Sequence, residues 1–283
     1  MRRALAAFRS CIARQEAKGC TLAAIGSPKG GFPIKGIRLG TLKEIVKRGF
    51  LSFGLDIRRV LAPPPIPDGE FYTPLFSPWN DYGDFARYRA LAAPYTLVSR
   101  DRLYVLYTLA LNAIHLRGDF WECGVYKGGT ARMFAEFLAA YAQPGLKLHL
   151  FDSFRGMPET DEKLDVVRKG DFSDTSLEKV RRVVGNPNRV EFHPGWIPDT
   201  FRDMSDAQVA FAHVDVDIYR SILDCCEFIY PRLKTGGVMV FDDYGFATCP
   251  GARKAVDEFF ADKPETPIVL QTGQAIAIRG ARS

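Results

Sequence analysis

The sequence predicts a doubly wound α/β fold: a mostly parallel seven-stranded sheet with an antiparallel edge strand, preceded by an N-terminal helical and irregular segment. Three observations carry this. From about residue 96, short apolar runs alternate with amphipathic helical stretches, the rhythm of a parallel sheet covered by helices on both faces. The runs are nearly continuous in apolar residues, as expected of strands buried on both sides. The chain then closes with two short runs joined by Thr272-Gly273, which reads as a hairpin adding an antiparallel edge.

Taken in order, residues 101–115 (DRLYVLYTLALNAIH) form a helix with one apolar face, and 119–123 the first strand. A helix over 129–142 leads to the second strand at 147–152 (KLHLFD). A crossover helix at 177–184 and a short third strand at 189–192 follow. The fourth strand spans 209–215 (VAFAHVD), a helix 219–233, the fifth strand 237–242 and a helix 252–260. The hairpin pairs 267–270 with 275–279. Residues 1–95 lack this rhythm and are expected to stand apart from a domain over 96–283. They hold a helix near 40–50, a stiff connector at Pro63-Pro64-Pro65-Ile66-Pro67, and an aromatic, irregular stretch over 71–95 suited to a lid or a homo-oligomer contact.

Composition excludes several classes. No apolar run approaches the roughly 18 residues that span a bilayer, and the start (MRRALAAFRSCIARQEAKG) is too interrupted by charge for a secretory signal. The six cysteines (Cys11, Cys20, Cys123, Cys225, Cys226, Cys249) show no C-x-x-C spacing, which argues against a disulfide framework or a thiolate zinc site and for a cytoplasmic protein. Residues 1–60 carry 13 Lys/Arg against 3 Asp/Glu, within a chain of net charge +5. A basic arm on an acidic body points either to peripheral contact with phospholipid headgroups or to a solvated helix face. Nucleic acid is not expected, since no aromatic residues interleave a basic patch.

In an open α/β sheet, ligands bind beyond the carboxyl ends of the strands. The first strand ends in Glu122-Cys123-Gly124-Val125-Tyr126-Lys127-Gly128-Gly129-Thr130, a G-x-x-x-G-G loop entering a helix whose amino end favours anions. It is not the G-x-G-x-x-G of dinucleotide enzymes. With Glu122 two places before the first glycine to meet an ammonium group, the loop suits the methionine part of S-adenosylmethionine; a packing turn would leave the same glycines. The second strand ends in Asp152-Ser153, where a carboxylate accepts ribose hydroxyls or caps a helix.

The fourth strand ends in Asp215-Val216-Asp217 and the fifth in Asp242-Asp243. Four carboxylates at adjacent strand ends repel unless a cation or protons compensate, and hard oxygen ligands select Mg²⁺. Asp215, Asp242 and Asp243 are the expected metal ligands. Asp217 is the expected catalytic base, although Asp215 could fill both roles. Helix capping would account for an acid or two, not for four. His213 reads as a hydrogen-bonded core residue or a base, and His193, beside Gly195-Trp196, as a core residue or a wall of the ligand pocket.

These segments bear a family resemblance. GDFWECGVYKGGTARM, LFDSFRGMPE, FHPGWIPDTF, HVDVDIYRSILDCCEFIYPRLKTGGVMVFDDYG and CPGARKAVDEFF occur in the order found in the macrocin O-methyltransferase family, over residues from about 96 to 260. The resemblance implies a class I, Rossmann-like methyltransferase with S-adenosylmethionine as donor and Mg²⁺ at the acids. It carries donor roles to Glu122, Gly124, Asp152 and Ser153, beside Val125, Tyr126, Gly129, Thr130 and Trp196, and metal roles to Asp215, Asp242 and Asp243. Val216 stands where the family usually has glycine, and Pro250-Gly251 is expected to widen the turn after Cys249. The expected activity is methylation of a hydroxyl on a saccharide or glycosylated natural product. The competing readings are a nucleotide-sugar or NAD-binding oxidoreductase module, and a scaffold that keeps only the fold.

Overall fold

The computed structural model describes residues 77–186 and 188–281, all within one compact unit that runs from Thr73 to Ser283. The basic arm, the helix expected near 40–50 and the proline connector lie outside the described residues. The described chain forms α1 (Phe85–Ala92), α2 (Arg100–Ala113), β1 (Asp119–Cys123), α3 (Gly129–Tyr141), β2 (Leu148–Asp152), α4 (Leu177–Val184) and β3 (Val190–Pro194). It continues with β4 (Val209–Val214), α5 (Tyr219–Ile229), β5 (Leu233–Phe241), α6 (Pro250–Phe260), β6 (Ile268–Val269) and β7 (Ala275–Ile278). The strands make one seven-stranded sheet in the order β3-β2-β1-β4-β5-β7-β6. The first five pair in parallel; β7 runs antiparallel to β5 and to β6, so the expected hairpin closes the sheet.

Alternation along the strands sorts side chains into two cores. Phe120, Leu148, Leu150, Phe211, Val238, Val240 and Ile276 face a core shared with α1 to α4. Trp121, Phe151, Ala212, Val214, Met239 and Phe241 face a second core shared with α5 and α6. α2 supplies Leu103, Leu106, Tyr107, Ala110 and Ala113, an i, i+3, i+4, i+7 stripe that makes it a packing helix. α4 begins where Ser176 accepts a hydrogen bond from the Lys179 N–H at 3.3 Å.

Two expectations are corrected. The stretch over 71–95 is not irregular throughout: α1 buries Phe85, Tyr88 and Ala92, spaced i, i+3, i+7. The Phe85 ring meets Tyr104 edge-on at 5.1 Å, and Tyr88 meets Phe137 of α3 at 6.0 Å, so α1 packs into the core. Nor does Pro250-Gly251 widen a turn. Pro250 opens α6, where its missing N–H costs nothing, and Gly251 is buried against Leu164 and Asp165.

Candidate functional site

The central strands end level with one another, and that register builds the site. Cys123 lies opposite Val214 on β4, and Val214 opposite Phe241 on β5. The next N–H groups extend the ladder: Asp215 donates to the Cys123 carbonyl at 2.8 Å and Asp242 to the Val214 carbonyl at 3.0 Å. Gly124, Asp215 and Asp242 thus leave the sheet side by side. Gly124 has φ +85°, and a Cβ there would lie 1.8 Å from the Asp215 carbonyl oxygen, so the two loops touch at a point that only glycine permits.

Asp152 fixes the glycine loop. One of its oxygens accepts the N–H groups of Val125 at 2.7 Å and Tyr126 at 2.9 Å, and the other that of Phe154 at 2.6 Å. Three backbone donors orient the carboxylate and hold the loop open over the sheet. Ser153 donates to the Gly156 carbonyl at 2.8 Å and accepts from the Arg155 N–H at 3.1 Å. Gly128, at φ +83°, caps α3, and Gly129 packs so closely on the backbone of residues 92–96 that a side chain there would collide.

Glu122 lies beneath the loop, fully buried. Its Oε1 accepts a hydrogen bond from the Thr130 hydroxyl and lies 3.1 Å from His213 Nδ1, while Oε2 is buried without a partner. His213 Nε2 lies 3.5 Å from Asp242 on the other side. Burial opposes charge on this imidazole, but carboxylates on both flanks prevail and hold it protonated well above the ordinary histidine range. His213 is therefore a core histidine bridging β1, β4 and β5.

The four acids fall into two trios, the ligand atoms of each lying within 4.8 Å of one another: His213, Asp215 and Asp242; and Asp217, Asp243 and Cys249. Asp242 is fully buried and committed, in an ion pair with Arg102 and accepting from Gln274 at 2.7 Å. Burial alone would raise its pKa, but His213 and Arg102 bring it below the usual carboxylate value. Asp215 and Asp243 are the reverse: burial, then neighbouring carboxylates, push both far up. Among the described residues no hydrogen bond or ion pair reaches the Asp215 carboxylate, and Asp243 accepts only the Asp217 N–H, at 3.1 Å. Asp217, at φ +59°, accepts from the Cys249 thiol at 3.5 Å, and burial raises its pKa to about 6.

One cavity joins these groups. Its lining includes Gly124, Val125, Tyr126 and Thr130 of the glycine loop and helix start, and Asp152 and Ser153 beside them at the end of β2. Trp196 and Ile197 also line it, as do the acids Asp215, Asp217 and Asp243. Of the residues singled out in the sequence, Glu122, Gly129 and Asp242 lie behind this surface rather than on it. His193 also lies off the cavity, against His149 and Phe151. The residue that sequence reasoning missed is Arg102, which lines the cavity, neutralises Asp242 and sits 4.9 Å from the Phe246 ring. No local signal marks it, because its partner is 140 residues away.

Comparison with known proteins agrees with this architecture. The demethyldecarbamoylnovobiocin O-methyltransferase of Streptomyces niveus is 32% identical over 155 residues, covering 51% of this chain and 58% of the relative's length. The mycinamicin III 3''-O-methyltransferase of Micromonospora griseorubida is 29% identical over 180 residues, covering 58% and 70%. The structure of the O-methyltransferase NovP aligns with a TM-score of 0.60 at 28% identity, over 66% of this chain and 83% of that one. The calicheamicin methyltransferase CalS11, at 18% identity, shares the fold, with a TM-score of 0.57 over 70% of this chain and 91% of its own. Residues 86–271 match the macrocin-O-methyltransferase (TylF) family, which sets aside the oxidoreductase alternative. The fold is that of the class I methyltransferases, and the chain belongs to the macrocin O-methyltransferase family.

Proposed function

We propose that the protein transfers a methyl group from S-adenosylmethionine to a hydroxyl of a saccharide or glycosylated small molecule, with a divalent cation such as Mg²⁺ held at the acidic end of the cavity. The observation that carries this reading is the cavity itself, which runs from the Gly124 loop and Asp152 to Asp215, Asp217 and Asp243. The relatives support the acceptor class: one is named for a rhamnosyl-tetracenomycin 4'-O-methylation in Streptomyces olivaceus.

The donor end fits a nucleoside with an amino-acid tail. Asp152 is fixed by three N–H groups and lines the cavity, and Trp196 and Met157 offer apolar surface, whereas Glu122, expected to meet the ammonium group, lies behind the lining. The acidic end fits a hard cation. Asp215 is part-buried and Asp243 buried, their mutual repulsion is only partly offset by His213 and Arg102 near Asp215, and carboxylate oxygens suit Mg²⁺. Of the three expected ligands, Asp215 and Asp243 are the ones the geometry favours, since Arg102 and Gln274 already occupy Asp242. When bound, the cation supplies Lewis acidity that lowers the pKa of an acceptor hydroxyl. Asp217 is suited to receive the hydroxyl proton on its carboxylate, its pKa of about 6 leaving it ionised at neutral pH. Val98, Trp196 and Ile197 give the cavity apolar lining that would limit water around a transferred methyl group.

Labelled donor and a panel of saccharide acceptors test the reading. Incorporation of label should stop with EDTA, return with added Mg²⁺, and fall at least 100-fold in Asp217→Asn. A rate indifferent to EDTA would remove the cation from the mechanism. On the sequence alone we also assign the protein to the cytoplasm, the basic segment 1–60 to acidic lipid headgroups, and the enzyme to a homo-oligomer. Vesicle flotation and sedimentation test the last two.

A further inference from the structure

A second set of metal-ligating side chains lies outside the cavity, at the β3 edge of the sheet. The parallel register places His149 opposite Glu191 and Phe151 opposite His193, so all four side chains share one face. His149 Nδ1 and His193 Nε2 are 3.0 Å apart, and Glu191 Oε2 is 3.7 Å from His149 Nδ1. These three atoms lie within 4.8 Å of one another. Each flanking group is oriented from behind. Asp119 Oδ2 on β1 lies 3.4 Å from His149 Nε2, and Lys147 holds Glu191 Oε1 at 3.3 Å, leaving Oε2 for the trio.

His149 has a carboxylate beside each ring nitrogen, Asp119 at 3.4 Å from Nε2 and Glu191 at 3.7 Å from Nδ1. With N–H on Nε2, toward the nearer Asp119, the Nδ1 lone pair of His149 faces His193. His193 then either donates its own Nε2–H across the gap or offers a second lone pair to a cation between the rings. The His193 ring is stacked on Phe151 at 4.4 Å and 13°, which fixes its plane.

We propose that His149, Glu191 and His193 form a binding site for a transition-metal ion of the Zn²⁺ class, distinct from the acidic end of the cavity, with Asp119 as the positioning carboxylate. Two imidazoles and one carboxylate form a set that Zn²⁺ prefers and Mg²⁺ does not, and exposed Glu191 leaves room for water as a further ligand. The site would pin edge strand β3 to β2. Because β3 runs straight into Gly195-Trp196-Ile197, the pinned strand would also fix one wall of the cavity.

The test is Zn²⁺ titration of chelator-stripped full-length protein in excess Mg²⁺, read by calorimetry. Wild type and the Asp215→Asn/Asp243→Asn variant should each take up one Zn²⁺ that His193→Asn and Glu191→Gln lose, with unchanged circular dichroism. Asp119→Asn should weaken binding about 10- to 100-fold. Zn²⁺ should raise the melting temperature of wild type but not of His193→Asn. Undiminished binding in both His193→Asn and Glu191→Gln, no binding by wild type, or loss of the ion in the Asp215→Asn/Asp243→Asn variant would overturn the proposal. None of these readouts depends on methyl transfer, so failure of the assigned activity leaves them interpretable.

Discussion

Single residues carry the site's geometry, and Gly124 is the most constrained of them. Its positive φ and its contact with the Asp215 backbone leave no room for a methyl group. Gly124→Ala should cost at least about 1–3 kcal/mol from backbone strain alone and displace the Asp215 loop, so urea unfolding should show lower stability together with lost donor binding. His193 sets a pH dependence. Its folded-state pKa of about 4 lies below the ordinary 6.5, so between those values the unfolded chain takes up a proton that the folded one refuses. Its contribution is complete above about pH 6.5 and is lost as the pH falls toward 4. Metal-free protein should therefore lose stability from pH 6.5 to 4.5, and His193→Asn should lose less, in matched denaturant melts. Sequence reasoning found the carboxylates because strand ends are where a parallel sheet places its chemistry. It could not see that Asp242 is answered by Arg102 or that His149 faces His193, because those pairs exist only once strands and helices meet.

Helices and strands position the groups the cavity uses. α2 is a packing helix along Leu103–Ala113, yet its first turn delivers Arg102 to Asp242 at the end of β5. Removing that guanidinium leaves Asp242 only Gln274 and His213 as partners, so Arg102→Met should cost about 1–3 kcal/mol in chemical denaturation, and a second change, Asp242→Asn, should recover part of the loss. α1 was hidden in the sequence because Phe85 and Tyr88 sit among other aromatic residues, which blurred the helical spacing. Its burial predicts that Phe85→Ala destabilises the fold by about 3–5 kcal/mol, a cost that an exposed lid would not show. The strands were legible in number and order because apolar runs stand out. Their bounds were less so: β5 begins at Leu233, four residues before the expected 237 and at the end of the helix expected over 219–233, because Gly236-Gly237 interrupts the apolar run, and β3 runs on to Pro194.

At the scale of the molecule, the sheet order has a consequence for how the chain reaches its native state. β2 and β3 join β1 in sequence, but the other neighbour of β1 is β4, whose pairing of Asp119 with Val209 closes a loop of about 90 residues. During synthesis the chain must wait with one side of β1, a central strand, unpaired until β4 emerges. Such non-local closure slows folding and leaves a bare strand edge open to other chains. Ribosome-stalled chains ending before Val209 should accordingly be protease-sensitive and prone to associate, and those ending beyond Phe241 should resist both.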